Sequence, residues 1–172
     1  MSAFLIQALS VMAFTAAAMG CDLRTRRIPN LLNVASLALA IACHAGWGGW
    51  NGVLFLLSGF ATGFGILFVL WLIGGGGGGD VKLMGAVGGW LGPQLTIIAF
   101  LASGVIAVIC RGVTAASRKM RDPEVTNGDN PPVAIPPDHL AGNRDKLPYG
   151  VPVAVAVWGL MGLKLFVFFR DK

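Results

Sequence analysis

Hydrophobic residues fall along this chain in long blocks, and polar residues in a few short ones. Residues 3–21 are apolar and long enough to cross roughly 30 Å of hydrocarbon as a helix. Five further blocks follow, over 31–46, 52–73, 81–92, 94–110 and 149–169. The pattern predicts an all-α fold: a polytopic membrane protein of about six transmembrane helices, forming one domain over residues 1–172. The breaks between blocks carry turn and helix-start signals. Pro29 lacks an N–H and pre-sets its φ, which suits the first turn of the second helix. His44 to Asn51 reads as a short outer turn, with Trp47 and Trp50 placed for the interfacial belt. The fourth block is short, is interrupted by Gly85, Gly88 and Gly89, and stops at Gly92-Pro93. It reads as a short or tilted span, with a re-entrant segment as the alternative. Residues 111–148 read as a polar cytoplasmic loop holding Pro123, Pro131, Pro132, Pro136 and Pro137 and most of the acids.

Composition agrees with a membrane protein. The 172 residues are 55% hydrophobic and only 12% charged, where a soluble domain carries about 25% charged residues. The first twenty residues match a signal peptide in length but lack a charged n-region, so they read as the first transmembrane helix. The formal net charge of +5 would suit a nucleic-acid binder, but the basic residues lie where topology determinants lie. Arg24, Arg26 and Arg27 follow the first block, and a second basic group runs from Arg111 to Lys146, while the two outer turns carry no basic residue. By the positive-inside rule both basic regions face the cytoplasm. Cys21, Cys43 and Cys110 form no CxxC pair, which points neither to a structural zinc site nor to a disulfide framework.

Charge position also isolates two candidate residues. Of the eight acids, five lie in the polar loop and one in the tail. The other two, Asp22 and Asp80, each stand at the cytoplasmic end of an apolar block. A carboxylate at the edge of a hydrophobic segment is costly, which marks it as a candidate functional group. Asp80 closes a run of six glycines, Gly74 to Gly79, whose bare backbone another chain can approach closely. Two carboxylates at one depth can form a dyad in which one is ionised and the other protonated. The ionised member takes a proton from water, and the protonated member polarises a peptide carbonyl and later donates to the leaving nitrogen. This is aspartic peptidase chemistry, and it requires no metal, cofactor or covalent intermediate.

The same residues resemble those of the type IV prepilin peptidases. Asp22 followed by Arg27-Ile28-Pro29-Asn30 resembles their first aspartate motif, and Gly77-Gly78-Gly79-Asp80-Val81-Lys82-Leu83 is similar to their GxGD signature. Lys146-Leu147-Pro148-Tyr149-Gly150-Val151-Pro152 is similar to the Pro-aromatic-Gly stretch that opens their last helix. The resemblance implies the GxGD aspartic peptidase fold and cleavage of a short basic leader ending in glycine. It makes Asp22 and Asp80 catalytic, and Gly77, Gly78, Gly79, Lys82, Pro29, Asn30, Pro148 and Gly150 substrate-binding or supporting residues. It places the chain in the bacterial inner membrane, multi-pass, with its active site toward the cytoplasm. The implied partners are a prepilin or pseudopilin substrate, membrane lipids and the pilus-assembly or secretion machinery, with no nucleic acid. The paired CxxC motifs of the larger bifunctional members do not follow the first helix here. The chain therefore resembles the minimal class serving Flp, or tight-adherence, pili, and N-methylation is not expected. Slack in Gly74 to Gly76 would let Asp80 swing toward Asp22, so the two carboxylates are expected apart in the substrate-free enzyme.

Plainer readings stand beside these. Asp22 can be an interfacial acid paired with Arg24 or Arg26, and Asp80 a helix N-cap. Lys82 can be an ordinary interfacial lysine. Gly59-Gly63 and Gly85-Gly89 have the spacing of close helix packing, and His44 and His139 read as incidental. The alternative function is a small ion- or proton-coupled membrane transporter using the same two acids. Their placement at one membrane edge counts against it, since transport sites lie near the midplane. A non-enzymatic assembly protein docking through the long loop is a third reading.

Overall fold

The computed structural model describes residues 2–25, 28–74, 77–121 and 149–170. They form four helices, α1 (Ser2–Thr25), α2 (Asn30–Leu72), α3 (Gly78–Arg121) and α4 (Gly150–Arg170). All four are long and apolar enough to cross a membrane. The expectation of about six spans therefore meets four helices among the described residues, but two of these are broken.

In α2 the break is at Gly49, with φ 52° and ψ −135°, and in α3 at Gly92, with φ 75° and ψ 171°. Both lie in backbone regions that side chains with a Cβ rarely enter. Each break folds its helix back on itself. Leu37 and Leu56 of α2 both reach the same glycine of α3: a Cβ built on Gly89 would lie 3.1 Å from Leu37 Cδ1 and 3.6 Å from Leu56 Cγ. In an unbroken helix those leucines would be about 28 Å apart. Likewise a Cβ built on Gly63 would overlap Met84 and lie 3.1 Å from Thr96 Cγ2, two residues that a straight helix would separate by about 18 Å. We refer to residues 30–48 and 50–72 as the arms of α2, and to 78–91 and 93–121 as the arms of α3.

The short fourth block becomes the centre of the molecule. Val81, Leu83, Met84, Ala86, Val87, Trp90 and Leu91 are all buried, as a helix apolar on every side must be when other helices surround it. The arm that contains it, residues 78–91, extends about 21 Å, less than the thickness of a hydrocarbon core. The second arm of α2 packs on it backbone to backbone. A Cβ on Gly59 would overlap the Gly88 carbonyl oxygen, and one on Gly88 would overlap the Gly59 oxygen. The Gly59-Gly63 spacing thus serves close helix packing. The far end of the arm is pinned by Trp90, fully buried, whose Nε1 donates to Ser36 Oγ at 3.0 Å and whose carbonyl accepts from Gln7 Nε2. His44, expected to be incidental in an outer turn, is instead buried among the helices. Its Nδ1 pairs with the Ala40 carbonyl at 2.9 Å, and its ring lies against Phe55 and Trp90.

Helix boundaries differ from the sequence expectation in a consistent direction. α1 continues past residue 21 through Asp22 to Thr25, and the outer turn shrinks to the single break at Gly49. α3 runs on from 110 to Arg121 rather than giving way to a loop at Arg111. A helix already nucleated extends at little cost through good formers such as Ala, Arg, Lys and Met, and charge alone does not stop it. The remainder of the expected loop, residues 122–148, and with it Pro148, lies outside the described residues.

Candidate active site

Each of the two singled-out acids sits where a helix begins, in its own chain segment or in a neighbour. Asp22 lies in the last turn of α1 and is buried. Its Oδ2 accepts a hydrogen bond of 2.8 Å from the backbone N–H of Gly150, the first residue of α4. The free N–H groups and positive dipole end of a helix N-terminus are suited to hold a carboxylate. The approach is close: a Cβ on residue 150 would lie 3.0 Å from Asp22 Oδ2 and 3.4 Å from Met19 Cα, so its neighbours would have to give way by a few tenths of an ångström.

Asp80 is half-buried and belongs to the first turn of α3. Gly77 precedes the helix, and its carbonyl accepts from the Asp80 and Val81 amides at 3.0 and 3.4 Å. The Asp80 side chain turns back so that Oδ2 accepts from the Gly77 N–H at 3.3 Å. This is the return half of a capping box, with Asp80 three residues into the turn rather than at the N-cap itself. Gly78 and Gly79 are helical and exposed. Their surroundings are open: a Cβ on Gly79 would meet no atom within 4 Å, and one on Gly78 only Trp71 Nε1 at 4.0 Å.

Two more of the expected site residues meet across 52 positions of sequence. Lys82 Nζ donates to Asn30 Oδ1 at 3.0 Å, tying the start of α2 to the start of α3. Pro29 caps α2 in extended conformation (φ −58°, ψ 131°), and its carbonyl accepts from Leu32 N at 3.1 Å. Gly77, Gly78, Gly79, Asp80, Lys82, Asn30 and Pro29 therefore lie at or beside two neighbouring helix starts, while Asp22 and Gly150 form a second pair.

Tyr149 connects the pairs. Its hydroxyl lies 3.4 Å from the buried Ser103 Oγ of α3, while the next residue's amide holds Asp22. Asp80 lies within Coulombic range of both the Asp22 carboxylate and the Tyr149 phenol. Among the described residues the only hydrogen bond to each carboxylate comes from a backbone amide, and none joins the two acids. Sequence reasoning quoted Tyr149 only as part of a motif. It passed over Asn33, a buried amide one turn from Asn30 whose warning was visible: an asparagine inside an apolar helix.

No curated protein and no solved structure matches the chain. A model of the type IV leader peptidase family matches residues 9–111. The match takes in Asp22, Asp80, the whole of α2 and the buried arm of α3, and it ends before the start of α4. A match over most of the chain, on helices built to cross a membrane, has one consequence: the protein belongs to the type IV leader peptidase family and is a membrane protease of prepilin-leader type.

Proposed function

We propose that this protease is an aspartic endopeptidase that removes the leader from Flp-type prepilins on the cytoplasmic side of the inner membrane. Asp22 and Asp80 form its catalytic dyad. The observation that carries this reading is their convergence: 58 positions apart in sequence, at two different helix ends, they come within Coulombic range of each other. Both breaks are read as membrane turns, so that the four helices make six passages and all the helix ends near the acids share one face.

In this mechanism water is held between the two carboxylates. The ionised one removes a proton as the water oxygen attacks the scissile carbonyl carbon, and the protonated one donates to the carbonyl oxygen. Collapse of the tetrahedral diol breaks the C–N bond, with a proton delivered to the departing nitrogen. At rest each carboxylate is engaged by an amide, Gly150 for Asp22 and Gly77 for Asp80. Substrate binding draws them onto a shared water. The exposed first turn of α3 supplies amide donors at Gly78 and Gly79 for the leader's carbonyls.

Asp22→Asn and Asp80→Asn, each co-expressed with a prepilin, test the reading. Each variant should insert normally and leave the prepilin uncut, because an amide cannot serve as general base. Full activity in either one would remove that residue from the dyad.

A further inference from the structure

The first arm of α2 carries a polar row: Asn30, exposed at its start, then the buried Asn33, Ser36 and His44. All but Asn33 have partners. Asn30 accepts from Lys82, Ser36 accepts from Trp90, and His44 pairs with the Ala40 carbonyl. Asn33 is 7% exposed, and among the described residues neither its Nδ2 nor its Oδ1 has a hydrogen-bond partner. The polar neighbours on either side of it are matched on α3, Asn30 by Lys82 and Ser36 by Trp90. A buried amide with both ends unsatisfied is among the more costly features a fold can carry, and in a native protein it calls for a cause.

The position of Asn33 suggests the cause. It lies three residues from Asn30, about 4.5 Å further along the helix axis, just inside the mouth of the α2–α3 seam. At that end of the seam, among the described residues, an exposed side-chain bond joins Lys82 to Asn30, one for which water competes, and Lys82 is two residues from Asp80. An asparagine side chain offers one acceptor and two donors, the complement of a peptide unit.

We propose that Asn33 is a substrate-positioning residue: its amide pairs with a main-chain amide of the leader peptide once the Lys82–Asn30 bond has opened. The inference rests on the chain being a leader peptidase and is independent of which groups activate water. Donor and acceptor are kept unpaired in the free enzyme and satisfied in the complex. Such a residue reads main chain rather than side chains.

The test uses the full chain in detergent and a synthetic peptide with a basic leader ending in glycine, followed by an apolar helix. Its scissile amide is reduced to a methylene-amine, so that binding is read without cleavage. Asn33→Leu, nearly equal in volume, should raise the melting temperature of the free protein by roughly 2–4 °C, because an unsatisfied buried amide is removed. The same variant should bind the peptide about tenfold more weakly. Asn33→Ala, measured beside it, should lose the same binding without added branching. An unchanged Kd in either variant overturns the proposal. So does a lower melting temperature for Asn33→Leu, which would show that the amide is already satisfied, by a buried water, in the free enzyme. Because the peptide cannot be cut, loss of the aspartyl mechanism would leave this result standing, and the reverse holds too.

Discussion

Gly150 donates its backbone N–H to the Asp22 carboxylate at 2.8 Å, joining residues 128 positions apart. The bond sets the orientation of Asp22 and uses the N-terminus of α4 to hold it. A methyl group at position 150 would press on Asp22 Oδ2 and Cβ at 3.0 and 3.2 Å. Gly150→Ala is therefore expected to displace the carboxylate by a few tenths of an ångström while leaving α4 as stable as before, since alanine is the better helix former. Leader cleavage should fall by about 10- to 100-fold with no drop in melting temperature. Full retention of kcat would mean that the orientation of Asp22 is not set by this contact.

At Gly79 the expectation separates fold from substrate. A methyl group there meets no atom within 4 Å, and the backbone is already helical. Gly79→Ala should hold or raise thermal stability, by up to about 1 kcal/mol. If the leader docks on the first turn of α3, the same methyl obstructs it, and KM for a prepilin peptide should rise. An unchanged KM would move the leader away from this turn.

Gly88 faces the opposite constraint. Its missing Cβ is replaced by the Gly59 carbonyl oxygen, which is backbone and has no flexible end to move aside. Gly88→Ala should destabilise the protein by about 1–3 kcal/mol or more through forced separation of α2 and α3, and Gly59→Ala should do the same from the other side. Denaturation in detergent, scored as loss of cooperative melting, measures both.

The Lys82–Asn30 bond is exposed at both ends, so its contribution to stability should be small. In a double-mutant cycle with Lys82→Met and Asn30→Ala, the coupling energy should lie below about 1 kcal/mol. A much larger value would mean that the bond is a structural tie rather than a closure that substrate can open.

Trp90 is a contrasting case of a buried and fully engaged group. Trp90→Phe retains most of the ring but removes the donor to Ser36 Oγ, leaving that oxygen unpartnered in the core. The expected loss is about 1–3 kcal/mol. The companion double variant with Ser36→Ala should recover part of it, since removing both partners costs less than orphaning one.

Much of this protein is written in its local sequence. Blocks of apolar residues mark where helices run, and the glycines near the expected turns, Gly49 and Gly92, are where the chain breaks. The two acids at the edges of apolar blocks, Asp22 and Asp80, were visible because charge is so scarce in the rest of those blocks. Motifs at Pro29-Asn30 and at Gly77 to Lys82 pointed to the same family that the family model identifies.

What only the tertiary structure decided is which face of each helix meets another helix. In water, an amphipathic stripe announces the buried face. Beside lipid, outward and inward faces are equally apolar, so the pattern along the chain carries little of that information. For this reason the shortest block, 81–92, emerged as the buried centre only in three dimensions, and His44 and Asn33 proved to be interior. The pairing of Asp22 with Gly150 and of Lys82 with Asn30 depends on how helix ends are brought together by close backbone contacts such as Gly59 on Gly88, and no local signal encodes it. The sequence by itself thus determined the helices and the two scarce acids, and packing determined that those acids approach each other at the starts of α3 and α4.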